Sequence, residues 1–420
     1  MAAFSSPTSS LLDETIRKLT RNDPSLTNLE LSGKKVTAKD TARLAEALKT
    51  NSILTSLFLG NNEVADDGVV YLAEALKTNS SLTVLYIWKN GITDKGVACL
   101  AEVLKSNSSI QSLGLRMNGV TSEGAAGLAE ALKTNSNLAC LFLNNNRVED
   151  KGVAHFAEAL KINRTLTTLH LSQNLVTHEG AALLAEVLST NSTFTNLDLG
   201  GNPVKDDGAS YFAEILKTNP TITSLNLRAV DMTAKGAGFL AEALTVNSTL
   251  ACLALSFNDL KDEGASYLAE ALMSNGTLTT LSLSGTGMTE KGAALLADTL
   301  KINSTLTSLF LMINSLQDKG AIHLAEVLET NSTLTTLYLG RNGFTAKGVA
   351  RLSKALKRNS TLTTLHLKSL YGEIEISDET LLKEIQHKLD LNRASKRSVM
   401  FVGAGPSRRP RRTEGSCICC

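Results

Sequence analysis

A 28-residue repeat constrains this chain more than any other feature of its sequence. The pattern L-x-x-L-x-L begins anew every 28 residues from Leu26 to Leu362, without an insertion or a deletion. The thirteen starting residues are Leu26, Leu54, Leu82, Ile110, Leu138, Leu166, Phe194, Ile222, Leu250, Leu278, Leu306, Leu334 and Leu362. One such unit cannot bury its own leucines, but stacked neighbours can, so the repeat predicts a solenoid.

Each column of the repeat has a structural interpretation. The L-x-L segment alternates with period two, which indicates a strand with leucine on one side. An asparagine such as Asn62 can bond unpaired backbone groups where the chain leaves the strand. Gly68 and its equivalents suit a tight entry to a helix, because glycine has no β-carbon. Leu72 and Leu76 lie one turn apart and predict the inward face of that helix.

The remaining columns predict how each helix begins and ends. Glu74 and Lys77 form an i,i+3 pair on the outer face, worth about 0.2–0.5 kcal/mol. Asn79 and its equivalents follow each helix, and asparagine tolerates the left-handed position after a helix end. The acidic pairs 66–67 and 206–207 precede the glycine, so we interpret them as charges favoured by the helix dipole.

These motifs resemble the ribonuclease-inhibitor-like class of leucine-rich repeats over about residues 23–390. The uniform unit, with N-x-x-L-x-x-L-x-L-x-x-N and G-A-x-x-L-A-E-A-L, is most similar to the repeat arrays of NOD-like receptors. This resemblance implies an α/β fold: a horseshoe with a parallel sheet on the concave face and helices on the convex face. The chain departs from these relatives in having few cysteines in the array and no G-x-x-x-x-G-K-[ST] nucleotide-binding loop.

The breaks in the pattern divide the chain into four segments. Residues 1–22 contain an amphipathic helix opened by Ser10 and Asp13, and we interpret them as an N-terminal cap. Residues 23–369 form the solenoid, and residues 370–392 contain a capping helix from Ser377 to Leu389. Residues 393–420 are basic and expected to be disordered.

A first candidate binding patch follows from the strand columns that face away from the helices. Parallel strands lie about 4.8 Å apart, so large side chains in these columns of neighbouring repeats come together. The members are Phe58, Tyr86, Trp88, Lys89, Arg116 and Phe142. Tryptophan, tyrosine and arginine are enriched at binding hot spots, which favours a protein-binding role. The alternative is that these are isolated surface aromatics without a ligand.

A second, weaker candidate patch lies in the eleventh and twelfth of the thirteen repeats. It contains Phe310, Tyr338 and Arg341, with Met312 and Ile313 beside them. The same column also holds His170, Asp198 and His366, which we expect to be exposed.

Composition and motifs argue against enzymatic function. The net charge of +1 excludes a strongly basic nucleic-acid coat. The six histidines lack metal-ligand spacing, and His155 and His323 are placed on helices. We therefore predict no catalytic residues, cofactor, metal, nucleic acid or small-molecule substrate. We read the chain as cytoplasmic, since no membrane span or secretory signal is evident.

The C-terminal segment is the one feature that the repeat does not explain. Residues 393–420 carry seven basic side chains and one acidic one, while the rest of the chain has a net charge of −5. The chain ends Ser-Cys417-Ile-Cys419-Cys420, which is similar to a prenylation signal, although cysteine is unusual in the last two positions. A lipid on Cys417, Cys419 or Cys420 together with the basic segment would supply two membrane-binding signals. The alternative is a solvated basic tail with reactive thiols.

Together these features predict a non-enzymatic scaffold or sensor. It would bind a protein on its concave face and could be held at an anionic membrane surface by its tail. One alternative is a GTPase-activating protein, because Ran GTPase activators are built on similar repeats. Arg116 or Arg228 would then be the residue to test. Another is an immune-type regulator or a pathogen effector that imitates one.

Overall fold

Each repeat folds as a three-residue strand followed by a helix, which confirms the predicted β/α repeat. The computed structural model describes residues 7–367 and 379–402, with side chains for residues 11–367 and 380–395. The chain divides into two units, Met1–Pro203 and Val204–Cys420.

From residue 7 onward, where the structure describes it, the first unit contains seven parallel strands that pair with their neighbours in chain order. The strands are β1 (Asn28–Glu30), β2 (Ser56–Phe58), β3 (Val84–Tyr86), β4 (Ser112–Gly114), β5 (Cys140–Phe142), β6 (Thr168–His170) and β7 (Asn196–Asp198). The helices are α1 (Pro7–Thr20), α2 (Ala38–Leu48), α3 (Ala65–Leu76), α4 (Asp94–Leu104), α5 (Ser122–Leu132), α6 (Glu149–Leu160) and α7 (His178–Leu188).

The described residues of the second unit repeat this arrangement with six parallel strands. They are β8 (Ser224–Asn226), β9 (Cys252–Ala254), β10 (Thr280–Ser282), β11 (Ser308–Phe310), β12 (Thr336–Tyr338) and β13 (Thr364–His366). The helices are α8 (Lys205–Leu216), α9 (Ala234–Leu244), α10 (Lys261–Ser274), α11 (Glu290–Leu300), α12 (Gln317–Leu328), α13 (Ala346–Leu356) and α14 (Glu379–Val402).

The core of each unit lies between its strands and its helices. Leu57 pairs with Leu29 and Leu85 in the neighbouring strands, and all three leucines are buried. Leu72 and Leu76 of α3 are buried on the facing side of the helix, as their spacing predicts. The residues that flank each central strand leucine project from the opposite surface, which we call the helix-free face.

Two asparagine columns bind successive repeats together through buried hydrogen bonds. Asn62 donates to the carbonyls of Leu31 and Leu59, and its Oδ1 accepts from the Val36 amide. This confirms the predicted role of that column. Asn79 does not take the left-handed conformation expected of it. It donates instead to the Leu48 and Asn51 carbonyls of the preceding repeat, so its buried amide is a bridge between repeats.

A carboxylate of one helix caps the next helix. Asp206 Oδ1 accepts from the Thr233 and Gly236 amides at 2.8 and 3.0 Å, and its Oδ2 accepts from the Thr233 hydroxyl at 2.7 Å. The same clamp joins Asp66, Asp94, Asp150, Asp262 and Asp318 to the threonine 27 residues later. The dipole interpretation of these acids therefore missed their main contact. Glycine in its column leaves room for this carboxylate, because a β-carbon on Gly96 would lie 2.5 Å from Asp66 Oδ1.

The helices begin in two ways. In α2, α4, α5, α7, α9, α11 and α13 a threonine is the N-cap, and its hydroxyl accepts from a backbone amide. In α3, α6, α8, α10 and α12 the N-cap is Val or Leu with no side-chain bond, and the next residue is left-handed. The two types alternate except at α4 and α5, which both begin with a threonine cap.

The terminal helices extend beyond their expected bounds. Helix α1 begins at Pro7, before the expected cap Ser10, and proline is well suited to a first helical turn. Its Leu12 and Leu19 are buried, which fits the expected cap on the first repeat. Helix α14 continues to Val402, past the expected end at Leu389 and into the segment expected to be disordered. Residues 403–420 lie outside the described part of the chain.

Candidate protein-binding face

Four rings form a contiguous row on the helix-free face of the first unit. Phe58 and Tyr86 meet edge to face with centroids 5.5 Å apart, and Tyr86 and Phe142 meet at 5.7 Å. Phe142 then contacts His170 at 4.7 Å with the rings perpendicular. We call Phe58, Tyr86, Phe142 and His170 the aromatic ladder. Edge-to-face pairs add about 0.5–1.5 kcal/mol beyond area burial, so the rings stabilise one another's positions.

A glycine makes the ladder continuous. Tyr86 and Phe142 are separated by strand β4, where the register places Gly114 between them. A β-carbon on Gly114 would lie 2.8 Å from Tyr86 Cδ1, so only glycine leaves room for the tyrosine ring to lean across. The Tyr86 hydroxyl lies 3.0 Å from Ser112 Oγ. Burial raises the pKa of Tyr86 against the opposing effect of this bond, so the phenol stays neutral.

Trp88, Lys89 and Arg116 lie beside the ladder, as the sequence predicts. The Trp88 indole occupies the space that a β-carbon on Gly60 would take, and it remains half-exposed. Lys89 and Arg116 are exposed. The region therefore combines half-exposed rings with cationic groups at the surface.

The far end of the ladder is polar and buried. Phe142 packs on His170, and burial lowers the pKa of this imidazole to about 4, although a bond with Asn196 opposes the shift. Nε2 of His170 has no hydrogen-bond partner in the described part of the chain. Asn144 donates to Ser172 Oγ at 2.6 Å and to Asp198 Oδ2 at 3.1 Å. The expectation that His170 and Asp198 are exposed is wrong, because both are buried among these neighbours.

The second candidate patch is a shorter ring stack. Phe310 and Tyr338 have centroids 4.9 Å apart, and Tyr338 stacks on His366 at 5.1 Å. Tyr338 is half-buried and Arg341 is exposed, but Phe310 is only 7% exposed and Met312 only 6%. Both were expected to be exposed. The Tyr338 ring covers part of the Phe310 side chain, which reduces the exposed fraction of Phe310.

The two arginines singled out by the alternative function differ in their surroundings. Both arginines are exposed, but the Arg228 guanidinium also lies 4.4 Å from the centroid of the Phe257 ring. Phe257 in turn fits against Gly285, where a β-carbon would lie 2.8 Å from Cδ1. Sequence analysis missed Phe257, although it occupies the same column of the repeat as Lys89, Ile313 and Arg341.

The described residues show no group of three or more histidine, cysteine, aspartate or glutamate side chains able to hold a metal. His155 and His323 lie in α6 and α12, as predicted. Among the described helices, none combines the length and apolar character of a membrane span. Cys99 and Cys140 are half-buried thiols, and burial raises the pKa of Cys140. The tail cysteines lie outside the described residues.

Two family models match the chain. The TMOD/LMOD leucine-rich domain matches residues 9–119, and the leucine-rich-repeat model matches residues 163–185, 190–213, 246–269, 274–297 and 330–353. The chain therefore contains leucine-rich repeats. The matched segments fall in both units of this leucine-rich-repeat protein, and they contain strand–helix pairs of the kind described above.

Among solved structures, the leucine-rich-repeat protein is similar to a leiomodin-1 fragment named actin-binding site 2. The identity is 24%, with 39% of this chain and 92% of that chain covered and a TM-score of 0.36. It is also similar to an internalin (inlF) from Listeria monocytogenes str. 4b F2365. There the identity is 19%, with 88% and 99% covered and a TM-score of 0.48. No curated protein matches the chain.

Proposed function

We propose that this protein is a non-enzymatic scaffold that binds a protein partner on the helix-free face of its first unit. The observation that carries the proposal is the aromatic ladder with Trp88, Lys89 and Arg116 beside it. Three of the ladder rings, Phe58, Tyr86 and Phe142, keep part of their surface open to solvent. Nothing in the repeat itself requires aromatic residues in this column, since other repeats hold Asn226 or Ala254 there.

The geometry favours binding because the rings are held in place before a partner arrives. Each ring contacts the next, and Tyr86 is further fixed by its contact with Ser112. Ordered aromatic side chains lose little conformational entropy on binding, which otherwise costs about 0.5–1.5 kcal/mol per side chain. The exposed Lys89 and Arg116 favour a partner segment that presents apolar side chains together with a carboxylate.

The test compares partners captured by the wild-type protein with those captured by a Tyr86→Ala, Trp88→Ala double variant. Quantitative mass spectrometry should show at least one partner reduced tenfold or more, because truncating a hot-spot residue costs about 2 kcal/mol or more. Tyr71→Ala is the matched control, since Tyr71 is an exposed tyrosine on the outer surface of α3. Capture that is equal for the double variant and the wild type would contradict the proposal.

Phe310, Tyr338 and Arg341 form our proposed second contact area. Tyr338 and Arg341 offer accessible surface, while Phe310 would act mainly by supporting the Tyr338 ring. A Tyr338→Ala variant that captures the same partners as the wild type would remove this area from the proposal.

We further propose that the tail tethers the protein to an anionic cytoplasmic membrane surface. The support is the +6 charge of residues 393–420 and the three cysteines Cys417, Cys419 and Cys420. Intact mass spectrometry of the native protein, with membrane fractionation, tests this. An unmodified mass in a fully soluble fraction would contradict the tether.

The ribonuclease-inhibitor-like class, and within it the likeness to NOD-like receptor arrays, is likewise our inference. It is supported by the uniform 28-residue unit and its asparagine and glycine columns. A solved structure of this class that aligns over the whole array with substantial identity would test it.

A further inference from the structure

An apolar ridge runs over the outer surfaces of four consecutive helices in the second unit. One column of the repeat places Tyr211, Phe239, Tyr267 and Leu295 on α8, α9, α10 and α11. Tyr211, Tyr267 and Leu295 are exposed and Phe239 is half-exposed. In the first unit the same column of α4, α5 and α6 holds Cys99, Gly127 and His155, so the repeat does not require an apolar residue there.

The ridge contains a groove between α9 and α10. Gly238 precedes Phe239 at the column where most repeats have alanine or serine, and a β-carbon there would lie 3.3 Å from Tyr267 Cδ2. The groove encloses about 700 Å³. Gly238, Phe239 and Tyr267 form its apolar middle, and its lining also includes two basic and two acidic side chains: Lys235, Lys261, Asp259 and Glu263. A second cavity of about 380 Å³ lies on the other side of Phe239, against Tyr211.

Glu242 of α9 and Glu270 of α10 lie beyond the lining of the groove, and neither has the lysine three residues later that pairs with its equivalents. Along the array, a glutamate is usually paired with a lysine three residues later, as in the 2.6 Å pair of Glu158 and Lys161. In α9 and α10 the lysine is replaced by Thr245 and Met273.

Three carboxylates illustrate the result. Glu242 pairs across helices with Lys217 of α8, at 3.0 Å, instead of with a lysine of its own helix. Glu270 has no ion pair among the described residues. Glu263 accepts a hydrogen bond from the Tyr267 hydroxyl.

The basic side chains at the groove do not cancel this excess. Lys261 pairs with Asp259 at 2.9 Å, and Lys235 lies with its ammonium 5.7 Å from the Phe239 ring centroid. Neither forms an ion pair with Glu242 or Glu270 among the described residues. The surface is therefore apolar in its middle and acidic along the C-terminal half of the helices.

We propose that this groove docks a basic amphipathic helix of a second protein. Two parallel helices with an apolar groove between them fit the apolar face of a third helix. Lysine or arginine on the rim of that helix would supply a cation to Glu270, which has no ion pair among the described residues, and a second cation beside Glu242, which already pairs with Lys217. A second copy of this chain fits less well, because a two-fold contact would bring the same carboxylates together.

The experiment selects helical 16-residue peptides from a display library against the full-length protein. We expect enrichment of peptides with leucine or aromatic residues at i and i+4 and lysine or arginine beside them. Synthetic copies should bind at least tenfold more weakly to a Glu242→Lys, Glu270→Lys variant and to Tyr267→Ala. Tyr71→Ala is the matched control and should bind as the wild type does. Enrichment of acidic peptides, no enrichment, or equal binding to the groove variants would overturn the proposal.

Two further measurements exclude other occupants and separate this site from the ladder. The Trp88→Ala variant should bind the selected peptides unchanged; a tenfold loss would place them on the helix-free face instead. Sedimentation should show a monomer that Tyr267→Ala does not alter. A dimer lost in that variant would make a second copy the occupant. Tighter peptide binding after replacing Arg408, Arg409, Arg411 and Arg412 by alanine would identify the chain's own tail instead.

Discussion

The clamp between Asp206 and the start of α9 gives the sharpest test of how neighbouring repeats are held together. Asp206 and Asp207 are adjacent acids in the first turn of α8, so a helix-dipole effect would treat them alike. Only Asp206 reaches the next repeat, where it accepts three hydrogen bonds from Thr233 and Gly236.

The expected magnitude follows from those bonds. Hydrogen bonds to a charged group contribute about 1.5–3 kcal/mol each when buried, but the Thr233 bonds are solvent-accessible and count for less. Loss of an N-terminal cap alone costs about 1 kcal/mol. We therefore expect Asp206→Ala to lower the free energy of unfolding by about 2 kcal/mol. Asp207→Ala should lose only the dipole contribution of about 0.5 kcal/mol.

A third variant separates charge from geometry. In Asp206→Asn the amide oxygen can still accept from both backbone amides, and the Thr233 hydroxyl can rotate to accept from the new NH₂ group. We expect a loss of less than about 1 kcal/mol, the difference between charged and neutral hydrogen bonds.

Urea unfolding, monitored by circular dichroism, gives the free energy of unfolding of each of the three variants. Amide hydrogen exchange measures the local effect at the start of α9. The Gly236 amide should exchange faster in Asp206→Ala and at the wild-type rate in Asp207→Ala. Equal destabilisation by the two alanine variants, with no change in the exchange rate of the Gly236 amide, would refute the clamp. Both acids would then act only through the helix dipole.

Three further outcomes follow from the site. Between pH 6.5 and 4 the unfolded His170 imidazole takes up a proton that the buried one, with its pKa of about 4, does not. Stability should therefore fall on acidification by up to ~3 kcal/mol, and His170→Gln should flatten this dependence whereas His155→Gln should not. Gly114→Ala should displace the Tyr86 ring, lower stability by about 1–3 kcal/mol and weaken partner capture, while Gly276→Ala, which meets no atom within 4 Å, should do neither. Purified Ran should hydrolyse GTP at an unchanged rate when the protein is added; a large stimulation would favour the GTPase-activating alternative.

The strands and helices could be predicted because the period leaves few alternatives. With an unbroken 28-residue spacing, Leu57 can pair in register only with the leucines 28 residues away, and it does so. The clamp could also have been found, since Asp66 and Thr93 are 27 residues apart and the same spacing recurs. It was missed because each column was interpreted within its own repeat, whereas the bond joins two repeats.

Contacts and burial on the helix-free face were less predictable. The column predicts which side chains share a surface, but a neighbour's size decides which of them meet. Tyr86 of β3 contacts Phe142 of β5 across the intervening strand β4 only because Gly114 has no side chain. His170 and Phe310 are buried although they occupy the same column as the half-exposed Phe58.

Glycine links both proposed surfaces, and this explains why they stand out from the repeat. Consensus residues hold each repeat to the next, so specificity must come from departures from the consensus. A large ring is one such departure, and it needs space in a neighbouring repeat. Tyr86 takes that space over Gly114, and Tyr267 takes it beside Gly238. In a stack of near-identical repeats, a ring in one repeat and a missing side chain in a neighbouring repeat are therefore together a better signal of a binding surface than the ring alone.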